Sequence, residues 1–193
     1  MGFIRVKGHG RHRYAYLVSE KWTEQGPRQS VSEYLGKVFE ISRVSEPDFS
    51  SIKNSGSFTE ILSEVVGKEL LACGFSEEGR GIYRREQEGF LLTVEVCDEK
   101  VRVLARRGNG RQRDCVFKMN DGFFCEHSTG ELFGIIKNSE RISEEDGFNS
   151  EPELGRKLAA LVVNAGLKIP PEVFVSLYEA LESLAGNKKN EED

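Results

Sequence analysis

Residues 90–103 constrain the fold more than any other stretch. Phe90, Leu92, Val94 and Val96 alternate with Leu91, Thr93, Glu95 and Cys97, the two-residue period of a strand. A tight turn at Asp98-Glu99 places Val96 opposite Val101 and Val94 opposite Val103, and the same register sets Glu95 opposite Arg102. One register satisfies the apolar and the charged pairs together, and a slip of one residue would lose both. The Gly108-Asn109-Gly110 loop then leads into residues 111–119, where it aligns Val103 with Cys115 and Val101 with Phe117. With residues 81–87 joined to 90–97 near Glu88-Gly89, the pattern predicts a four-stranded antiparallel meander.

Helices flank this sheet in sequence. Ser57-Phe58-Thr59-Glu60 is a capping box, followed at helical spacing by Leu62, Val65, Val66, Leu70 and Cys73, with Gly74 as the stop. Ser128-Thr129-Gly130-Glu131 and Ser150-Glu151-Pro152-Glu153 repeat the capping pattern. The first predicts a short helix through Leu132, Ile135 and Ile136, and the second a helix carrying Leu154, Leu158, Leu161, Val162 and Ala165 that ends at Gly166. Pro170-Pro171 opens a last helix with Val173, Phe174, Leu177, Tyr178, Leu181 and Leu184 on one stripe. Asn-Asp-Gly at 120–122 reads as a turn, with Phe123 and Phe124 as core. The fold class is α+β, an antiparallel sheet with helices covering one face.

The N-terminal segment has a different composition. It contains no acid before Glu20, and residues 1–43 carry eight Lys or Arg against four Glu, a net charge of +4, whereas the whole chain carries −5. Residues 3–7 alternate and break at Gly8-His9-Gly10. A longer strand runs from about 13 to 22, a Gly-Pro turn follows, and a third strand over 28–35 ends at Gly36. A sheet of this size has a thin core and needs the body or a partner to pack on. Residues 44–56, rich in Ser, Pro, Asn and Gly, read as a linker. The organisation is thus a basic β-rich arm over 1–43, a linker over 44–56, a body over 57–185 and a polar tail over 186–193.

Basic residues interleaved with aromatic ones suit a polyanion whose bases can stack. The arm supplies Arg5, Lys7, Arg11, Arg13, Lys21, Arg28 and Lys37, with Tyr14, Tyr16, Trp22 and Tyr34 between them. A second basic island at 100–118 places Arg106, Arg107, Arg111 and Arg113 around a hairpin tip. Both islands on one face would make a single extended nucleic-acid surface.

The arm also carries a resemblance. Phe3-Ile4-Arg5-Val6-Lys7, a Gly/basic break, Tyr14-Ala15-Tyr16-Leu17-Val18, Pro27-Arg28-Gln29-Ser30-Val31 and Tyr34-Leu35-Gly36-Lys37 are similar, over about residues 3–38, to the N-terminus of some prokaryotic insertion-sequence DDE transposases. In that family the region is a β-rich module that binds DNA ends, so the resemblance implies DNA or RNA binding by the arm. It does not imply strand transfer, because the family's three spaced carboxylates belong to a larger RNase-H-like α/β domain with another strand–helix order. The body, with Lys118-Met119-Asn120-Asp121-Gly122-Phe123-Phe124-Cys125, resembles small uncharacterised archaeal-type proteins carrying the same N-terminal element.

Other chemistry is sparse. Cys125-Glu126-His127 offers two candidate ligands but lacks the paired spacing of structural zinc. Neither a P-loop nor a nucleophile elbow occurs, and neither a cofactor nor a metal is expected. No apolar run approaches the roughly 18–20 residues of a membrane helix, and the basic start lacks an apolar stretch behind it. The cysteines Cys73, Cys97, Cys115 and Cys125 show no C-x-x-C and suit a reducing cytoplasm. The reading is a cytoplasmic, non-enzymatic nucleic-acid-binding protein, with a protein partner on its acidic helical face a further expectation. The alternatives are an adaptor that adds strands of its arm to a partner's sheet, and a small enzyme centred on Cys125 and His127.

Overall fold

A computed structural model describes residues 2–23, 26–52, 56–97, 99–135 and 151–188. The strands are β1 (Gly2–His9), β2 (His12–Thr23), β3 (Gly26–Glu40), β4 (Ser76–Gly79), β5 (Ile82–Gln87), β6 (Phe90–Cys97), β7 (Lys100–Arg107), β8 (Arg113–Met119) and β9 (Gly122–Phe124). The helices are α1 (Phe58–Ala72), α2 (Glu126–Phe133), α3 (Glu151–Asn164) and α4 (Pro171–Lys188). The α+β class holds, but the sheet is larger than a four-stranded meander. Nine strands join in the order β1-β2-β3-β8-β7-β6-β5-β4, with β9 paired to β8. Among the described residues no helix is long and apolar enough to cross a membrane.

The central register is the one that the side chains demand. Val96 pairs with Val101, Val94 with Val103 and Glu95 with Arg102, whose charges meet at 3.4 Å. The loop to β8 keeps its register in the pairs Leu104–Asp114 and Ala105–Arg113. At the β5–β6 turn Glu88 and Gly89 both take positive φ, 52° and 74°, the two-residue turn whose twist matches an antiparallel hairpin. Sequence reading missed β4 and β9, which are only four and three residues long.

The boundaries of the arm shift outward. β1 continues through His9 and β2 begins at His12, so Gly10 and Arg11 alone form the turn. β3 does not stop at Gly36. It runs on to Glu40 and joins the body through a parallel ladder, Lys37 with Cys115, Val38 with Val116, Phe39 with Phe117 and Glu40 with Lys118. Parallel pairing needs a long crossover, and α1 with β4 to β7 supplies it.

Helix ends follow from local chemistry. Ser57 caps α1, its Oγ accepting from the Glu60 amide while the Glu60 carboxylate accepts from the Ser57 amide at 2.8 Å. After Ala72 the chain closes with Gly74 N–H to Leu71 O and Phe75 N–H to Leu70 O, the pattern of a helix stopped by a left-handed glycine. α2 starts three residues earlier than the Ser128 pattern predicts. The reason is that the Ser128 hydroxyl reaches back to accept the Cys125 amide at 3.2 Å, making Cys125 the cap and Ser128 the third helical residue. Ile136 and Ser150 lie outside the described residues.

One core gathers Phe58, Leu62, Val66 and Leu70 of α1 with Leu92, Val94, Val103, Phe117, Phe124, Leu132, Leu158 and Leu177, so all four helices share it. A smaller cluster, Ala15, Leu35, Val38, Val116 and Cys125, is joined by Ile4, Val6, Leu17 and Phe123. It fastens the inner face of the arm to the body. The stretch after β3 is irregular, yet Ile41 and Ile52 are buried and the Val44 amide bonds to Ala72 O at 2.8 Å.

A buried polar cluster sits where four segments meet. Glu69 of α1 is wholly buried and accepts from Arg43 Nη2 at 2.7 Å and from Asn120 Nδ2 at 2.7 Å. Arg43 also reaches Lys168 O, and Asn120 reaches Gly166 O. Beside it, Gly122 approaches the end of α3 so closely that a Cβ there would lie 2.1 Å from Val163 O. Its partners stand 26 and 51 residues apart in the chain, and the sequence reading counted Arg43 only among the charges of the arm.

Candidate nucleic-acid interface

The face of the arm turned away from the small cluster is built by register. β1 and β2 place Arg5 opposite Tyr16, Lys7 opposite Tyr14 and His9 opposite His12. β2 and β3 place Tyr16 opposite Tyr34 and Tyr14 opposite Lys37. Tyr34 and Lys37 stand three positions apart, so in a regular strand they would point to opposite faces. The pairing passes from Tyr34 to Gly36 and leaves Leu35 out of the ladder, a bulge that restores both side chains to one face. Gly36 makes this possible: its φ is +118°, and a Cβ would lie 2.2 Å from Asp114 O. A glycine inside a strand pattern signals such a bulge, and here it marks a close approach rather than an end.

Three tyrosines meet on this face. The Tyr16 and Tyr34 ring centroids are 5.4 Å apart and those of Tyr14 and Tyr34 are 6.2 Å apart, both tilted. Tyr34 is 56% exposed. Partial burial, with Tyr14 and Tyr16 nearby, raises its hydroxyl above the usual range against an opposing pull from Arg113, so it stays a neutral donor. The Lys7 ammonium lies 5.4 Å from the Tyr16 ring centre. Lys7, Gly8, His9 and the three tyrosines line an open recess of about 460 Å³.

The band continues onto the body. The Lys37 ammonium sits 4.1 Å from the Phe90 ring and 4.7 Å from Phe39, a cation over two aromatic faces. It is shielded from solvent with no hydrogen-bond acceptor in reach. The Arg107 guanidinium lies 5.7 Å from the same Phe90 ring. Through Phe90 and Tyr34 the arm's basic island and the hairpin's Arg107 and Arg113 therefore share one face. Lys37 works here as a brace rather than a contact. Lys37→Met is expected to change oligonucleotide affinity by less than about 2-fold, because each exposed cation, not a covered one, carries the phosphate term; titration at fixed salt checks this.

The other basic residues lie elsewhere. Arg13 is ion-paired to Glu40. Arg106 pairs with Leu91 and so points to the opposite face from Arg107. Arg11 and Arg111 are exposed in their turns, and Arg28 is exposed near the far hairpin end, where Trp22 is 84% exposed. The Lys21 side chain lies outside the described residues. Phe90 and the central place of Tyr34 are what sequence reading missed, the first because it depends on the β3–β8 junction and the second because it depends on the bulge at Leu35.

A second recess of about 180 Å³ opens where β3 leaves β8, bordered by Glu33, Asp114, Glu126 and His127. Cys125, at its wall, is 2% exposed, and burial raises its thiol above the ordinary range despite the Ser128 hydrogen bond. The His127 imidazole faces Glu131 at 3.8 Å, and it is the His127 backbone amide that hydrogen-bonds to the sulfur. A thiol kept protonated is a poor nucleophile, so this pair reads as packing and helix-cap chemistry. No family model, curated protein or solved structure matches this chain.

Proposed function

We propose that this protein binds nucleic acid through the face formed by Tyr14, Tyr16 and Tyr34 of the arm and extended by Phe90, Arg107 and Arg113 of the body. The observation that carries this reading is the half-open tyrosine cluster flanked by cations from two distant parts of the chain. Aromatic faces left open to water have a use when bases cover them, and Arg5, Lys7, Arg107 and Arg113 supply cations on the same side for phosphates. The resemblance of residues 3–38 to transposase N-termini points the same way. The acidic remainder of the protein repels a polyanion elsewhere and confines it to this face.

The test is a gel-shift and filter-binding series with duplex and single-stranded DNA and RNA over a range of salt. Truncating residues 1–43 is unsuitable, because it removes Phe39 and Ile41 from the core. The double charge reversal Lys7→Glu, Arg107→Glu leaves the core intact. About four phosphate contacts give a log–log salt slope of about −3.6 on duplex DNA or about −2.8 on a single strand, and the double variant lowers its magnitude by about 2. A flat salt response would overturn the reading.

A second reading rests on β1 forming one outer edge of the sheet. A partner strand could add there. Arg5 and Lys7 on that edge are the charges that guard against such pairing, so it ranks second.

A further inference from the structure

Resting on that reading, we infer that the ligand is a single strand, DNA or RNA, whose unpaired bases stack on the Tyr16–Tyr34–Tyr14 platform while its backbone crosses toward Arg107. Three features of the site select a single strand over a duplex. The first is shape. The platform is the face of an antiparallel sheet, and its recess is lined by residues of β1, β2 and β3. The major groove of a duplex admits a helix or a two-stranded ribbon, whereas this platform is the face of a wider sheet that continues into the body.

The second is what the rings expose. Tyr34 stands between Tyr14 and Tyr16, and their tilts of 42° and 56° leave ring faces rather than one closed stack. In a duplex the base faces are already covered by their neighbours, so a ring can meet only edges and sugar. An unpaired base has a free face of the right size, and such stacking tolerates any base.

The third is where the charge lies. Lys7 lies over one side of the Tyr16 ring at 5.4 Å, and the Arg113 charge acts on Tyr34. Arg107 lies beyond, over Phe90, and extends the cationic side of the path onto the body. Cations beside and between stacking rings suit a backbone that winds around its own bases.

The experiment is fluorescence anisotropy of the full chain with labelled oligothymidylate and oligouridylate of about 15 nucleotides, a length that spans one such site, beside a duplex of equal length. The single strands are expected to bind at least about 10-fold tighter than the duplex. Tyr16→Ala with Tyr34→Ala is expected to weaken single-strand binding by about 5- to 150-fold per base that loses its platform, with duplex binding changed by less than about 2-fold. The Tyr→Phe pair keeps the rings and restores binding. A second readout places an emitter in the stack: in a Trp22→Phe background, Tyr34→Trp is quenched by oligothymidylate and not by duplex.

Duplex binding equal to or tighter than single-strand binding overturns the inference while leaving nucleic-acid binding intact. So does a tyrosine pair variant that binds normally while Lys7→Glu, Arg107→Glu fails. Absence of any nucleic-acid binding removes the underlying reading, and the inference falls with it.

Discussion

Replacing Glu69 by alanine is expected to cost about 3–5 kcal/mol of folding stability, the range for breaking a buried ion pair from one side. Glu69 is fully buried, and its carboxylate receives Arg43 Nε at 3.1 Å, Arg43 Nη2 at 2.7 Å and Asn120 Nδ2 at 2.7 Å. Without it the guanidinium, whose side chain is only 15% exposed, keeps Lys168 O and the solvent-facing Glu46 as partners, and neither neutralises it as well. Against a typical total of about 5–15 kcal/mol, the loss approaches unfolding, and the melting temperature is expected to fall by about 6–20 °C. Glu69→Gln, which retains the acceptor oxygen, should fall between. Pairing Arg43→Met with Glu69→Leu should cost far less than the sum of the single changes, because the desolvation of both charges disappears together. Differential scanning calorimetry of the wild type, the Ala and Gln variants, Arg43→Met, Glu69→Leu and their pair measures this, and additive losses in the pair would refute the clamp.

Gly36→Ala is expected to detach the arm's face from the body. A Cβ at residue 36 would lie 2.2 Å from Asp114 O and 2.9 Å from Cys115 Cα, both backbone atoms, at a φ that L residues avoid. The backbone strain alone is about 1–3 kcal/mol, and relief of the clash requires the parallel ladder at Lys37–Cys115 to open. Amide exchange should therefore speed up at residues 37–40 and 115–118 while the β6–β7 hairpin stays protected. Nucleic-acid affinity should drop, since Tyr34 and Phe90 no longer share a face. Gly8→Ala is the control: a Cβ there meets nothing within 4 Å. It should leave exchange and binding near wild type.

The sequence made parts of this architecture plain, for reasons that lie in how far each signal reaches. The β6–β7 pairing was legible because apolar and charged partners stand close together in the chain and agree on one register. The helix opened by Ser57 was legible because its cap is four residues long. α2 was misplaced because Ser and Thr near a helix start serve as either cap or third residue, and only the Cys125 amide decides between them. The arm's junction was misread because Gly36 carries the same letter whether it ends a strand or admits a neighbouring backbone. Its partner, Asp114, lies on the far side of α1 and the meander. The Arg43–Glu69–Asn120 cluster was invisible for the same reason. Of the candidate binding residues, Arg5, Lys7, Tyr14 and Tyr16 could be grouped from alternation alone. The separation of Arg107 from Arg106, and of Lys37 as a covered brace from the exposed cations, needed the three-dimensional neighbours.

The parallel junction of β3 with β8 also orders events in time. Hairpins whose strands are adjacent in the chain close early, because little loop entropy opposes them, while a ladder joining distant segments waits until the segments between have folded. The tyrosine side of the basic band belongs to the first kind, and its link to Phe90, Arg107 and Arg113 to the second. A chain emerging N-terminus first thus displays half of the surface before the other half exists. On the proposed reading, a strand of nucleic acid met at that stage would find stacking rings without the far cations, and the full surface would exist only once β8 lies beside residues 37–40.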